Sequence, residues 1–598
     1  MILFTMSSIQ DIESLGTEQR FAPISTEQQQ QLRQHITDIL PHIHFDQSET
    51  DIWNQFRHHQ DKFRKEHRWI PKKSDYLACI MSLTTEYPDI CRRIFLRKSI
   101  RSDSGVLVVT VFTTAYPTYT DADGIQRRQR FSCRHDCYYC PNEPGHPRSY
   151  LANEPGVRRA VQNDYDCVRQ FRSRINTYMV LGHPIDKLEV LVLGGTWSEY
   201  PTEYQEEFIR DIYYAANTLF HERPLRQSLE EEMLINETAD VRIIGLTLET
   251  RPDTITPHEI RRFRRFGCTR LQIGIQHTDD AILETINRGH TIQQAIDAMK
   301  LLKDNGYKID IHIMPNLPGS TVDIDRAMFQ KIIFETGLQA DQWKIYPCSV
   351  TPWTVIERWH RDGIYVPYSD EMLEDMLEEV LTWVPEWVRL NRVIRDIPTS
   401  YISGGCSKPH MRDALADRMR RKGLRCRDIR AREVRGQRIE NATLVCREYF
   451  GNGGREFFLS FESIDHSTIY GFLRLRFPGQ YTFLPELTGA ALIRELHVYG
   501  KLQRVGIDGD QSQHRGFGTQ LIAEAERITR NAGYKKVAII SGIGVRQYYA
   551  RRGYHLEGTF MVKEFEPMSG SIKWYMLTGI LTGMLTGILV LLNHFKHF

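Results

Sequence analysis

Short, continuously apolar runs recur through the first two thirds of the chain, and each run ends in glycine or in polar residues. Runs of this kind predict strands that are buried on both faces of a parallel sheet. Helical patterns separate the runs, and strands that alternate with helices predict a (β/α) barrel. The predicted strands span residues 106–112, 187–193, 242–249, 270–275, 309–314 and 342–345.

The residues that follow these strands predict a ligand site. Gly194 and Gly195 follow the second strand, and paired glycines allow a ligand to approach the backbone closely. Glu249 ends the third strand, Arg251 follows it, and Gln276 comes after the fourth. Because active sites of (β/α) barrels lie at the carboxyl ends of the strands, we expect these groups to share one mouth. A salt bridge at the barrel rim is the alternative role for Glu249 or Arg251.

A different pattern begins near residue 438, where the runs favour antiparallel strands at 456–462, 470–476 and 491–499. The last of these strands is followed by a glycine-containing loop and by a predicted helix at 520–532. The loop reads Gln513, His514, Arg515, Gly516, Phe517, Gly518 and Thr519. Free amides at a helix N-terminus bind phosphate, so this loop is a candidate phosphate-binding site.

Composition and charge limit the partners. The chain has 598 residues, of which 41% are hydrophobic and 25% charged, which is typical of a globular protein with three or four domains. Its net charge is only +2, so contacts with nucleic acid must come from local basic patches. No signal peptide is evident at the N-terminus. The eleven cysteines are therefore expected to be reduced, and a cluster of them is more typical of a metal site than of disulfides.

Two local stretches are strongly basic. Residues 57–73 combine Arg and Lys with His and Trp69, and residues 395–437 are rich in Arg. Both suit a phosphate backbone, although a solvated helix face explains the first stretch equally well. The second stretch also contains candidate zinc ligands, for which buried structural cysteines are the alternative. These candidates are Cys406, His410, Cys426 and Cys446.

Cys133, Cys137 and Cys140 form the most informative motif, C-x3-C-x2-C, with Tyr139 directly before the third cysteine. Thiolates at this spacing can bind three irons of an iron–sulfur cluster and leave the fourth iron without a protein ligand. A structural zinc site usually has four ligands, and no fourth Cys or His pair follows at close range. The motif resembles the radical S-adenosylmethionine (SAM) superfamily.

That resemblance implies a [4Fe–4S] cluster on the three cysteines and SAM on the open iron. It also implies that Gly194 and Gly195 bind the amino group of SAM. Glu249, Arg251 and Gln276 are then candidates for holding the rest of the cofactor.

Four longer segments carry a more specific resemblance. They are residues 245–253 (GLTLETRPD), 287–291 (NRGHT), 344–347 (KIYP) and 395–398 (RDIP). They are similar to the catalytic subunit of the Elongator complex, a SAM-dependent tRNA carboxymethyluridine synthase. The similarity runs from about residue 75 to about residue 565. One departure is the gap between Cys133 and Cys137, which is shorter than in eukaryotic members and keeps the general radical SAM spacing.

The family resemblance implies further roles. The loop Gln513–Thr519 resembles the pyrophosphate loop of GCN5-related acetyltransferases and would bind acetyl-CoA. Tyr548 and Tyr549 would lie near the thioester, and Lys344 is the third predicted catalytic residue. The implied substrate is the wobble uridine of a tRNA anticodon stem-loop, and Elongator-like accessory subunits are implied as partners. A protein lysine acetyltransferase of histone or tubulin type, with the barrel as a scaffold, is the alternative function. A non-catalytic membrane adaptor is a third.

The C-terminal tail predicts a membrane anchor. Residues 574–593 carry no charge, and twenty helical residues rise about 30 Å, enough to span a hydrocarbon core. Trp574 and Tyr575 suit an interface, and the glycines at 579, 583 and 587 give a face on which two tails could associate. A buried helix is the alternative. This pattern predicts a tail-anchored protein on the cytoplasmic face of the endoplasmic reticulum or the mitochondrial outer membrane.

The predicted fold class is therefore α/β, a radical SAM partial (β/α) barrel followed by an acetyltransferase domain and a transmembrane helix. The predicted divisions are an N-terminal, helical, tRNA-contacting region at 1–85 and the barrel at 86–395. A basic connector at 396–437, the acetyltransferase domain at 438–566 and the anchor at 574–593 follow.

Overall fold

The computed structural model describes residues 25–67, 69–71, 73–83, 94, 105–406, 408, 410–435, 441–500 and 516–566. Its α-helices are α1 Thr26–Ile39, α2 Glu49–His67, α3 Lys73–Leu83, α4 Pro155–Gln162, α5 Cys167–Val180, α6 Thr202–Asn217, α7 Leu229–Asn236, α8 Pro257–Arg265, α9 Asp280–Thr285, α10 Ile292–Asp304, α11 Val322–Phe334, α12 Val355–Arg361, α13 Asp370–Trp383, α14 Met411–Arg421, α15 Ile429–Arg432, α16 Phe517–Asn531 and α17 Arg546–Ala550.

The strands fall into two large sheets and one small hairpin. They are β1 Leu107–Phe112, β2 Thr118–Thr120, β3 Gln126–Arg128, β4 Lys187–Leu193, β5 Arg242–Thr250, β6 Arg270–Gln276, β7 Lys308–Ile313, β8 Gln342–Ile345, β9 Arg389–Arg392, β10 Thr443–Gly451, β11 Gly454–Glu462, β12 Ile469–Phe477, β13 Ala490–Val498, β14 Lys536–Ile539, β15 His555–Glu557 and β16 Phe560–Glu564.

The first sheet has seven parallel strands in the order β1-β4-β5-β6-β7-β8-β9. Parallel neighbours need crossover connections, which the intervening helices supply. The central strand β6 is buried at every position. Its residues are therefore either apolar or able to form hydrogen bonds inside the protein. Because β1 and β9 lie at opposite edges, the sheet is open, and all its carboxyl ends face one side.

The six strands predicted for this sheet are confirmed with boundaries that differ by at most two residues. Strand β1 was expected to be buried on both faces, but Val108 is 40% exposed because it lines a cavity on one face of the sheet. Strand β9 was not predicted, since only Leu390 of its four residues is fully buried. The hairpin β2–β3 was also missed, because most of its residues are exposed and polar.

The second sheet is mixed, in the order β10-β11-β12-β13-β14-β16-β15. Its neighbours are antiparallel except β13 and β14, which are parallel and lie on either side of helix α16 in the chain. The predicted strands in this part are confirmed. Strand β10 was missed because its residues alternate between exposed and half-buried positions along an edge.

A buried network of ions joins the two sheets. Arg494 on β13 donates hydrogen bonds of 2.7 and 2.8 Å to the carboxylate of Asp341, which directly precedes β8. Arg476 on β12 donates bonds of 2.5 and 2.8 Å to Asp304, the last residue of α10. Glu456 on β11 accepts from both arginines. Buried charges persist only when they are paired, so this network ties the sheets together at a fixed separation.

The N-terminal helices α1–α3 have a small apolar core of their own, which includes Leu32, Ile36, Phe56 and Tyr76. Helix α1 begins at a capping box in which the Ser25 side chain accepts from the Gln28 backbone. The predicted transmembrane segment 574–593 lies outside the described residues. Within the described part of the chain, none of the helices has the length and apolar character needed to cross a membrane.

Candidate active site

Cys133, Cys137 and Cys140 lie in the loop that follows β1 and the hairpin, and all three line one cavity of about 1160 Å³. Cys137 is buried, and the other two are half-buried. One local and one long-range bond hold the loop: the Cys140 amide donates to the Cys137 carbonyl, and the Tyr138 amide donates to the distant Ile286 carbonyl, both at 3.0 Å. The predicted cysteines therefore converge on one site.

The donor set fits an iron–sulfur cluster better than a single metal ion. A zinc ion needs its sulfur ligands at about 2.3 Å from one centre. Among the described residues, no group of three His, Cys, Asp or Glu side chains is placed to hold a metal ion in that way. Three thiols that line one cavity suit a four-iron cluster, whose cysteines bind different irons.

Two buried guanidinium groups face the second cysteine. Nη1 of Arg288 lies 3.5 Å, and Nη1 of Arg251 3.7 Å, from Sγ of Cys137. Burial opposes ionisation of this thiol, but Arg288 and Arg251 outweigh it and lower the pKa of Cys137. By contrast, burial raises the pKa of Cys140 to about 11 and also raises that of Cys133. The loop therefore favours the thiolate form most strongly at its central cysteine.

Arg251 forms the salt bridge that the sequence offered as the alternative to a role in cofactor binding. Its remaining donors bind the Asp253 carboxylate at 2.9 Å and the Arg288 carbonyl at 2.5 Å, and only 2% of the residue is exposed. These contacts and the one to Cys137 engage all three side-chain nitrogens of Arg251. The side chain therefore supports the cluster loop more directly than it could bind a cofactor carboxylate. Arg288, which lies in the NRGH segment, was not among the predicted site residues.

The paired glycines have different surroundings. Gly195 lines the cavity, and both glycines have left-handed backbone conformations, with φ of 129° at Gly194 and 111° at Gly195. A Cβ atom on Gly194 would lie 2.1 Å from the Thr113 hydroxyl. Gly194 is therefore required by the close approach of β1 to β4, and Gly195 is the glycine that a ligand can reach.

Glu249 and Gln276 both line the cavity, as predicted. Glu249 accepts a 2.8 Å hydrogen bond from the Tyr150 hydroxyl and lies 3.7 Å from Nδ1 of His312, while burial raises its pKa. Gln276 is held at φ 65°, and its Oε1 is buried without a hydrogen-bond partner among the described residues. A buried, unpaired amide oxygen in a cavity wall is suited to accept a hydrogen bond from a ligand.

Lys344 projects from β8 into the same cavity. Its Nζ donates a 2.5 Å hydrogen bond to Oε1 of Gln272. Burial lowers the pKa of Lys344 to about 8, although the nearby carboxylates of Asp310 and Glu249 act in the opposite direction. The amine can therefore gain or lose a proton near neutral pH, as a general acid or base must.

The other end of the cavity is formed by the C-terminal sheet. Gly516, Gly518, Thr519, Tyr548 and Tyr549 line it, whereas Gln513, His514 and Arg515 lie outside the described residues. Gly516 is the N-cap of α16 in a left-handed conformation, with φ of 70°. A Cβ atom on Gly518 would lie 2.8 Å from the Tyr548 hydroxyl. The glycines thus leave the helix N-terminus open to the cavity.

Phe517 differs from its neighbours. Only 5% of the residue is exposed, and its ring stacks on Phe461 with centroids 4.4 Å apart. Its side chain therefore belongs to the core, so only its backbone amide could contact a ligand. Tyr549 is also largely buried, while Tyr548 lies against the guanidinium of Arg552, 3.6 Å from the ring centroid.

The predicted zinc ligands do not converge. Cys406 is buried, and Cys446 is exposed on β10. Among the described residues, no group of three or more His, Cys, Asp or Glu side chains is placed to hold a single metal ion, so the zinc prediction finds no support there.

Several connector arginines also have internal roles: Arg418 pairs with Glu378 at 2.5 Å and Arg432 with Glu462 at 2.9 Å. The exposed basic surface there is smaller than the sequence suggests, but it is present, since five arginines are exposed: Arg420, Arg421, Arg425, Arg427 and Arg435. On α2, however, Arg57, Lys62 and Lys65 are exposed as expected.

Comparisons with known proteins support the radical SAM assignment. The Radical SAM superfamily matches residues 131–329, and the Radical_SAM C-terminal domain matches residues 340–421. The chain is 38% identical over 481 residues to the "tRNA uridine(34) acetyltransferase" of Dehalococcoides mccartyi, with 79% of this chain and 100% of the relative covered. It is 35% identical to "Elongator complex protein 3" of Schizosaccharomyces pombe, with 82% and 91% covered.

A solved structure agrees. The archaeal Methanocaldococcus infernus Elp3 with an N-terminal deletion (1-46) matches with a TM-score of 0.66 and 34% identity, and the match covers 77% of this chain and 100% of that structure. The half-barrel fold and the family resemblance predicted from the motifs are thereby confirmed. The chain belongs to the radical SAM family that comprises Elongator complex protein 3 and the tRNA uridine(34) acetyltransferases.

Proposed function

We propose that this protein uses SAM and acetyl-CoA to modify uridine 34 of tRNA, forming 5-carboxymethyluridine. The main support is that the cysteine loop of the half-barrel and the helix N-terminus of the second sheet line one cavity. Two reacting atoms must lie within about 3–3.5 Å of each other. A shared cavity allows a group that forms at one end to come this close to a molecule bound at the other end. Relatives of this chain carry the name tRNA uridine(34) acetyltransferase.

At the half-barrel end, Cys133, Cys137 and Cys140 would bind a [4Fe–4S] cluster, and Gly195, Glu249 and Gln276 would bind SAM. The cluster, when bound, supplies the electron for reductive cleavage of SAM. Arg251 and Arg288 would donate to the Cys137 thiolate and offset its charge, and second-shell donors of this kind orient and tune a metal centre.

At the other end, the C-terminal residues would form a GCN5-related acetyltransferase domain. Amides of Gly516–Thr519 would bind the pyrophosphate of acetyl-CoA, since a helix N-terminus offers unpaired N–H groups and a favourable dipole. Tyr548 would lie beside the thioester. Lys344, whose pKa of about 8 suits proton transfer, would hold or deliver a proton in the cavity at its Nζ.

The target base would have to leave its stack to reach this cavity, as in other enzymes that modify bases. The exposed arginines and lysines of α2 would bind the tRNA phosphates. We propose the same division of the chain as the sequence predicts: a helical region to 85, the half-barrel to 395, a connector to 437 and the acetyltransferase domain to 566. Accessory subunits and a membrane-bound tail stay predictions from the sequence.

Substitution of a cluster ligand tests the proposal. Cys137→Ala is expected to abolish iron binding and 5-carboxymethyluridine formation, while acetyl-CoA binding is retained. Cys446→Ala, at an exposed cysteine, is the matched control and should behave like the wild type. Iron content, acetyl-CoA calorimetry and tRNA nucleoside analysis are the measurements. Undiminished carboxymethyluridine in the Cys137 variant would refute the proposal.

A further inference from the structure

Trp353 lies in the segment between β8 and α12, and its backbone has a left-handed conformation with φ of 60°. A bulky residue rarely adopts this conformation, because its Cβ crowds the backbone. Its side chain gains little from burial in return, since 44% of the residue is exposed. Strain of this kind persists where the surrounding structure imposes it, and it clusters at ligand sites.

The contacts of Trp353 show what imposes the conformation. Its carbonyl accepts a 3.2 Å hydrogen bond from the Asn142 amide, two residues after the third cysteine of the cluster loop. The ring of Tyr401 lies with its centroid 6.2 Å from that of the indole, at an interplanar angle of 44°. The Tyr401 hydroxyl in turn accepts a 2.9 Å bond from Nδ2 of Asn153. The two rings are therefore held by separate parts of the chain.

The pair lies beside the cavity. Pro141 and Thr351, which flank Asn142 and Trp353 in the chain, both line the cavity, and so does Ile397, four residues before Tyr401. Trp353 is not itself a lining residue, but it is exposed and bonded to the cluster loop, so it lies next to the cavity wall on the side of that loop.

We infer that Trp353, with Tyr401 beside it, stacks on the nucleobase next to the target uridine; this inference rests on the proposed function. When one base enters the cavity, its neighbours lose a stacking partner and expose an apolar face. Aromatic side chains bind such faces in single-stranded RNA and accept any base, because every base has a π-face. An indole and a phenol, both uncharged, suit this role better than binding of phosphate.

Replacement of Trp353 by glycine separates this role from a structural one. Glycine accepts a positive φ, so Trp353→Gly should leave the melting temperature unchanged or raise it. The same variant should bind an anticodon stem-loop RNA about tenfold more weakly, as expected for the loss of one stacked base. Trp353→Phe should keep most of the affinity. Phe450→Ala, at an exposed aromatic on β10 outside the cavity lining, is the control and should bind like the wild type.

The RNA would carry 2-aminopurine on the 5′ or the 3′ side of the target uridine, because its fluorescence is quenched by stacking. We expect quenching at one of the two positions with the wild type and its loss with Trp353→Gly. Equal affinity and equal quenching in both proteins would overturn the inference. Failure of the wild type to modify uridine 34 would instead overturn the proposed function, so the two failures are distinguishable.

Discussion

The two ends of the cavity use different chemistry. At the half-barrel end, the lining side chains include the buried charged groups Arg251, Arg288 and Lys344. At the C-terminal end, the lining includes glycines, Thr519 and tyrosine rings, together with charged residues such as Arg551 and Arg552. The first arrangement suits an electron-rich cluster and a charged cofactor, and the second leaves backbone amides free for a phosphate. One cavity thus combines a site formed by charged side chains with a site formed by backbone amides.

The buried ions at the junction of the two sheets keep the two ends of the cavity in register. The largest effect of a substitution is expected at this junction. Asp341→Asn removes one of the two buried carboxylates with which Arg494 pairs, which should lower the free energy of unfolding by about 3–5 kcal/mol. Glu206→Gln, which breaks a solvent-exposed pair with Arg265, is the control and should cost about 1 kcal/mol or less. Urea denaturation measures both. Equal, small losses would show that the two sheets do not depend on the network.

The electrostatic end can be tested at Arg288. Arg288→Gln removes the closest donor to the Cys137 sulfur, and loss of a second-shell partner typically costs about 10- to 100-fold in metal affinity or activity. We expect faster loss of iron and a lower reduction potential of the cluster, measured by chelator competition and by redox titration followed by EPR. Arg134→Gln, at an exposed arginine of the same loop, should have neither effect. Unchanged iron retention and potential would show that this guanidinium does not tune the cluster.

The backbone end can be tested at Gly518. Gly518→Ala places a methyl group against the Tyr548 hydroxyl, which should displace that ring and weaken acetyl-CoA binding about tenfold, or by about 1.4 kcal/mol. Iron content should not change. In a Tyr548→Phe background the hydroxyl is absent, so the alanine should cost much less. Calorimetry on the four proteins of this double-mutant cycle measures the coupling, and additive effects would contradict the steric explanation.

The smallest expected effect concerns pH. The pKa of Lys344 is lowered to about 8, so its amine is charged at pH 7 and mostly neutral at pH 9. The sulfonium of SAM is a cation, and removal of a like charge from the cavity should strengthen SAM binding about fivefold, or by about 1 kcal/mol, as the pH rises. Lys344→Met should flatten this profile. Equilibrium dialysis of SAM at pH 7, 8 and 9 is the measurement. Weaker SAM binding at pH 9 would contradict the proposed effect of the Lys344 charge.

Prediction from the sequence succeeded where the signal was local or periodic. The spacing of Cys133, Cys137 and Cys140 indicated a shared ligand because residues so close in a loop cannot lie far apart. The apolar runs located β4 to β8 because strands buried on both faces must be apolar. It failed at β9 and β10, whose edge positions leave most of their residues at least partly exposed and remove that pattern.

The role of Arg251 shows a further limit. Its place after β5 predicted a cavity position correctly, but its partners Cys137 and Arg288 come from distant parts of the chain. The conformation of Trp353 was likewise unpredictable, since no local pattern favours a left-handed tryptophan. Contacts between distant segments depend on packing, which residue spacing does not encode.

The sequence by itself determined the three-cysteine loop, the alternating half-barrel, the glycine-containing helix start and the family, because each depends on local spacing or on motif order. Only the tertiary structure decided that the two ligand ends share one cavity, that two guanidiniums face Cys137, and that ions from both sheets pair across their junction. The physical reason is that buried charges and cavities are properties of packed surfaces, which exist only once distant segments meet.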